Sequence, residues 1–149
     1  MSKKVLFVAT MLRGHVLVFH LPYMRWFQDR GYEVHLCARN DTGGPVERVP
    51  YCDRFMELPF ERSPLNLGNL RAYRELKAVI QGEEYALIHC NTPVGGTLGR
   101  LCAKGARKRG TKVVYTAHGF HFFKGAPLKN WLLFYPTERF LARLSLIHI

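Results

Sequence analysis

Short apolar runs alternate with longer stretches in which apolar residues recur at helical spacing, and this rhythm continues from end to end. The runs Lys4–Ala9, Glu33–Ala38, Arg54–Leu58, Tyr85–Cys90 and Lys112–Thr116 read as strands, continuous enough to be buried on both faces. Between them, a helix is predicted from about His20 to Arg30, with Pro22 in its first turn and Gly31 as its stop. Leu21, Met24 and Phe27 form its apolar face, joined by Tyr23 and Trp26. A second helix is predicted from Leu67 to Gln81, with Leu70, Tyr73, Leu76, Val79 and Ile80 on one side and Gly82 at its end. A third runs from Gly95 to Arg109, with Leu98, Leu101, Cys102 and Ala106 inward and its basic residues outward. The last spans Leu128 to about Arg143, interrupted at Pro136. Loops fall at Arg13-Gly14-His15, Asn40–Pro45, Arg62–Pro64 and Lys124–Pro127. The alternation predicts a doubly wound, mostly parallel α/β sheet.

In such sheets ligands bind outside the carboxyl ends of the strands. Two polar clusters sit there: Asn91-Thr92-Pro93-Val94-Gly95-Gly96 after one strand and Ala117-His118-Gly119-Phe120-His121 after another. Asn91 or Thr92 can cap the following helix, and Gly95 and Gly96 can let a ligand reach free backbone N–H groups. Ordinary capping accounts for the same residues. The His118 and His121 imidazoles can hydrogen-bond a sugar hydroxyl, stabilise charge or move a proton near neutral pH. No Cys or carboxylate stands beside them at a zinc-ligand spacing, so no metal is expected. His15 and His20 flank the first strand–helix loop and can face the same crevice, whereas His35 and His89 lie inside strands and read as core. Gly14 is a turn glycine or a point of close approach to a phosphate or sugar. Neither the GxGxxG fingerprint nor a GxxxxGK[ST] phosphate loop is present.

At 149 residues, 48% of them hydrophobic and 13% aromatic, the chain has the size and composition of one folded domain. Four cysteines without a CxxC pair fit a reducing, cytoplasmic compartment. No apolar stretch approaches the roughly 20 residues of a spanning helix, and the opening apolar run is too short for a signal peptide. The net charge of +11 changes the picture more, because it is lopsided. Met1–Leu98 carry twelve Lys and Arg against ten Asp and Glu, while Gly99–Ile149 carry ten against Glu138 alone. Such a basic end suits an anionic partner or is simply a solvated face. Nucleic acid is disfavoured, because no helix-turn-helix, RNP or zinc-finger pattern accompanies the charge. Trp131, Phe134 and Tyr135 read as core or, beside Lys124, Lys129, Arg139 and Arg143, as an interfacial surface. Glu138 reads as an ion pair with a nearby arginine or as a cleft residue.

The strings Ile88–Gly96, Tyr115–Phe122 and Lys124-Gly125-Ala126-Pro127, with Phe19-His20-Leu21-Pro22-Tyr23 and Gly31-Tyr32-Glu33-Val34 earlier, resemble the N-terminal half of family-4 glycosyltransferases, especially bacterial capsule and exopolysaccharide enzymes. The resemblance covers roughly residues 3–143. It implies one Rossmann-like half of a GT-B fold, and a metal-independent, configuration-retaining transfer from a nucleotide-sugar to an acceptor. In that family this half holds the acceptor and one wall of the sugar site. His118 matches the histidine that lies against the transferred sugar, and Gly14 sits in the loop bordering the donor phosphates. His15, His20, Asn91, Thr92, Gly95, Gly96, His121, Lys124 and Glu138 complete the candidate substrate-binding set. The family's second domain, with its basic pair and carboxylate-rich donor motif, is absent, so the chain alone is expected to be inactive. Residues 1–143 form the expected acceptor-side domain, and 144–149 read as a truncated tail. A lipid-linked diphosphate-sugar acceptor would rationalise the basic C-terminal third and a peripheral site on the membrane's inner face. The alternatives are a non-catalytic module for a sugar or lipid head group and, less favoured, a phosphate-binding regulator.

Overall fold

The computed structural model describes residues 2–145 and 147–148. Among them, six strands form one all-parallel sheet in the order β3-β2-β1-β4-β5-β6. They are β1 (Lys4–Met11), β2 (Glu33–Arg39), β3 (Arg54–Glu57), β4 (Leu87–Asn91), β5 (Lys112–Thr116) and β6 (Ile147–His148). The helices are α1 (Leu17–Phe19), α2 (Leu21–Gln28), α3 (Gly68–Gly82), α4 (Pro93–Cys102), α5 (Lys104–Lys108) and α6 (Leu128–Ala142). The expected doubly wound, Rossmann-like arrangement is therefore present.

Side chains alternate across β1 and divide the core in two. Leu6 and Val8 join Leu76, Ile80, Ile88, Cys90, Cys102 and Val113 under α3, α4 and α5. Val5, Phe7 and Ala9 join Met24, Val34, Leu36 and Ala38 under α2. Strand order reverses between β1 and β4, where β1 pairs with β2 on one side and β4 on the other. Chain leaving β1 and chain leaving β4 must therefore diverge to opposite faces, which opens a crevice between them.

Several expectations need correction. The Arg13–His15 loop is a π-helical turn over Leu12–Val16 that runs into α1. The predicted Gly95–Arg109 helix starts at Pro93 and divides at Ala103 into α4 and α5. Leu70 points to solvent, and α3 buries Asn69, Ala72, Leu76 and Ile80 instead. Asn69 turns inward because its side chain closes the preceding loop, accepting from Glu61 N and donating to Ser63 O. The last helix continues through Pro136 without interruption. The N–H that proline lacks would serve Leu132 O, which lies on an exposed turn, while the Thr137 hydroxyl donates to Leu133 O at 2.8 Å. Within the tail, Ile147 and His148 pair in parallel with Val114 and Tyr115.

The candidate site at the strand ends

The crevice is closed at its base by one threonine pair. Thr92 Oγ1 accepts from Thr10 N at 3.0 Å and meets Thr10 Oγ1 at 2.6 Å, while its own hydroxyl donates to Asn91 O. Thr10 Oγ1 in turn accepts from Gly95 N at 3.2 Å. Thr92 holds φ +64°, a left-handed conformation costly for a β-branched residue. The bonds that tie β1 to the start of α4 hold it there. Thr92 stands at the N-cap of α4 but its side chain makes no capping bond there, and neither glycine offers a free N–H: Gly96 N donates to Thr92 O at 2.7 Å. Gly95 and Gly96 serve close packing. A Cβ at Gly95 would lie 3.1 Å from the Ala9 backbone, and one at Gly96 would lie 2.3 Å from the Tyr115 ring. Asn91 is wholly buried, and its Oδ1 has no partner among the described residues.

The π-helical turn carries Gly14 and His15 over the end of β1. The Asp41 carboxylate, arriving from the loop after β2, accepts from Arg13 N at 2.6 Å and Gly14 N at 2.9 Å. The N–H groups expected to border donor phosphates thus already hold an anion. Asp41 was not among the sequence candidates; its position in a loop with Asn40 and Gly43-Gly44 gave only a turn signal.

Beside it, four imidazoles gather. His15 and His118 meet edge to face with ring centroids 4.6 Å apart, His15 and His20 lie 4.8 Å apart, and His20 and His118 5.7 Å. Phe19 packs on His118 at 5.2 Å, and His89 sits 5.8 Å from His20. Thus the structure brings His15, His20 and His118 together, as their strand-end positions predicted. His89 was read as core, yet its ring faces this group, with Nε2 bonded to Thr116 Oγ1 at 2.8 Å. Burial lowers His20 to about 3 and His15 and His89 to about 4, with the neighbouring histidines adding to the effect. All three are neutral at pH 7. His15 Nε2 and both ring nitrogens of His20 are buried without a partner among the described residues. Each such group costs about 1–3 kcal/mol unless a bound molecule satisfies it. His118 is exposed and completes the open side.

His121 and Glu138 face elsewhere. The His121 ring packs on Phe134 at 4.7 Å and its carbonyl accepts from Asn130 Nδ2, so it makes no pair with His118. Lys124 stands exposed in the following turn. Glu138 reaches across to Arg100, which is wholly buried: Nη1 and Nη2 each donate to Glu138 Oε2 at 3.1 Å, and Nε donates to Gly96 O at 2.9 Å. The guanidinium also lies 3.8 Å from the centre of the Tyr115 ring. The outward placement expected for the basic residues of this helix fails at Arg100, because Gly96, lacking a Cβ, lets the Tyr115 ring approach α4 and the guanidinium stacks on that ring and pairs with Glu138. Glu138, Tyr115, Phe120, Phe122, Leu133 and Phe134 line a largely apolar cavity of about 220 Å³ behind the His118 loop. Trp131 and Tyr135 are exposed rather than core, and α6 buries only Leu141 among its described side chains.

A family model described as glycosyl transferase 4-like matches residues 4–147. A curated protein of Bacillus subtilis (strain 168), named "Putative glycosyltransferase EpsD", is 54% identical over 142 residues. That alignment takes in 95% of this chain and 36% of the relative, so the chain spans little more than a third of the relative's length.

Proposed function

This chain belongs to the glycosyl transferase 4-like family, and we propose that it forms the acceptor-side half of a polysaccharide-building glycosyltransferase. The enzyme would move a sugar from a nucleotide-sugar to a saccharide acceptor, retaining configuration and requiring no metal. His118 carries this reading: it is exposed at the carboxyl end of β5, with its ring 4.6 Å from His15 and 5.2 Å from Phe19 across the switch point. An imidazole held there can hydrogen-bond a hydroxyl of the sugar as charge develops at the reacting carbon.

The backbone supports an acceptor-side role. Gly14 N is engaged by Asp41, Gly95 N by Thr10 and Gly96 N by Thr92 O, which supports a reading in which the donor diphosphate is not held by these amides. In this reading the diphosphate is held by a second domain, and the chain alone is inactive. The apolar cavity beside His118 and the exposed Leu128, Leu132, Leu133 and Phe140 of α6 suit a lipid-linked acceptor. With Lys129, Arg139 and Arg143 nearby, the same helix suits peripheral docking on an anionic inner membrane face. No helix among the described residues is long and apolar enough to cross a membrane. A second reading, a sugar- or head-group-binding module without turnover, is favoured by the Asp41 carboxylate already seated on Gly14.

The test uses a longer polypeptide that supplies the donor-side domain. There His118→Ala should slow transfer by roughly 10–1000-fold with little loss of stability, because the residue is exposed. Near-normal turnover with a lowered melting temperature would make the histidine structural, and saturable binding without transfer would favour the second reading.

A further inference from the structure

His15, His20 and His118 each bring one ring nitrogen to within 4.8 Å of the other two. They come from three separate segments: the π-helical turn after β1, the residue just before α2 and the loop after β5. His20 is 2% exposed, and neither of its nitrogens has a partner among the described residues; His15 Nε2 is likewise buried and unpartnered. Ring nitrogens from three segments are therefore gathered within reach of one another, and no hydrogen-bond partner among the described residues meets His15 Nε2 or either nitrogen of His20.

We propose that His15, His20 and His118 form a binding site for a divalent transition metal of the zinc class. Imidazole suits zinc, copper and nickel, whereas magnesium and calcium require oxygen ligands, and the cluster contains no carboxylate. Zn–N bonds of about 2.0–2.1 Å place tetrahedral nitrogens roughly 3.4 Å apart. Binding would require the exposed His118 and half-buried His15 rings to rotate toward the packed His20 ring. Three protein ligands leave a fourth position, which opens to solvent beside the exposed His118 and takes a water or a small solute. His121 takes no part in the site, because its ring is turned onto Phe134. Bound metal would staple the loop after β5 to the turn after β1 and withdraw His118 from any sugar. The inference stands on the cluster's geometry and does not need the transfer reading.

The experiment uses the metal-free 149-residue chain. Cobalt(II) is titrated with visible absorption as the readout, and zinc is measured by equilibrium dialysis against a chelator. The expected result is one metal per chain, the strong visible bands of four-coordinate cobalt, and a higher melting temperature in zinc. His118→Ala and His15→Ala should each weaken zinc binding at least tenfold, and His121→Ala should leave it unchanged. His118 is exposed, so its variant tests the site without a packing defect, and circular dichroism checks that the fold is kept. Less than one metal per chain, a six-coordinate cobalt spectrum, or equal affinity in the folded His118→Ala and His15→Ala proteins would overturn the proposal. Each of these readouts is binding rather than transfer, so a negative result leaves the glycosyltransferase reading standing.

Discussion

Arg100 and Glu138 join α4 to α6 through a buried guanidinium and a carboxylate, with both terminal nitrogens 3.1 Å from Glu138 Oε2. The same guanidinium stacks on Tyr115 of β5 and holds Gly96 O, so one side chain ties the glycine turn, the strand and the last helix together. Removing one partner weakens the compensation of a buried charge. Glu138→Gln or Glu138→Ala should therefore destabilise the chain by about 3–5 kcal/mol, and Arg100→Met by a comparable amount. A double variant, Arg100→Met with Glu138→Leu, should recover much of that loss. Urea denaturation of the parent, Arg100→Met, Glu138→Leu and the double variant checks it; additive losses in the double variant would mean the two residues act independently.

Asp41 offers a second test. Its two oxygens accept from Arg13 N and Gly14 N, and charge-assisted bonds of this kind contribute about 1.5–3 kcal/mol each. Exposure of the pair favours the lower end. Asp41→Ala should lower stability and free both amides, so pyrophosphate should bind the variant more tightly than the parent. Calorimetric titration decides the point, and unchanged pyrophosphate affinity would show that these amides do not form an anion site.

The pH dependence follows from the buried histidines. His15 and His89 sit at about 4 and His20 at about 3 in the folded chain, against about 6.5 when unfolded. Between those values the unfolded chain binds more protons, so stability rises with pH through this window. The contribution is fully present above about pH 6.5 and is lost as pH falls toward 4. Metal-free protein unfolded in urea at a series of pH values should show that slope, and His20→Met should flatten it. A flat profile between pH 6.5 and 4.5 would mean that the cluster is solvated.

The exposed apolar and basic side chains of α6 make a fourth prediction. Vesicles containing anionic lipid should sediment the chain more than neutral vesicles do, and salt should release it, because exposed charges are screened beyond about 8–10 Å. Equal binding to both vesicle types would leave the basic end without a membrane role.

The first five strands, their shared direction, the main helices and the location of the crevice were legible in the chain, because each rests on local periodicity; the short β6, in what read as a tail, was not. The β1 alternation of Val5, Phe7 and Ala9 against Leu6 and Val8 is written in the residue order and needs only the pleat to place them. The strand-end positions of His15, His20 and His118 were readable for the same reason. What lies between elements was not. Arg100 looked like a solvent-facing base at helical spacing; the missing Cβ at Gly96 admits the Tyr115 ring from β5, and that ring and Glu138 of α6 receive the buried guanidinium. Asp41 stands in a plain turn by composition, and the fold alone delivers its carboxylate to Gly14. His118 and His121 are near neighbours in sequence, yet one ring joins His15 and the other turns onto Phe134. Periodicity assigns a residue to a face; which side chains meet across loops depends on how separate segments pack, and that was decided only in three dimensions.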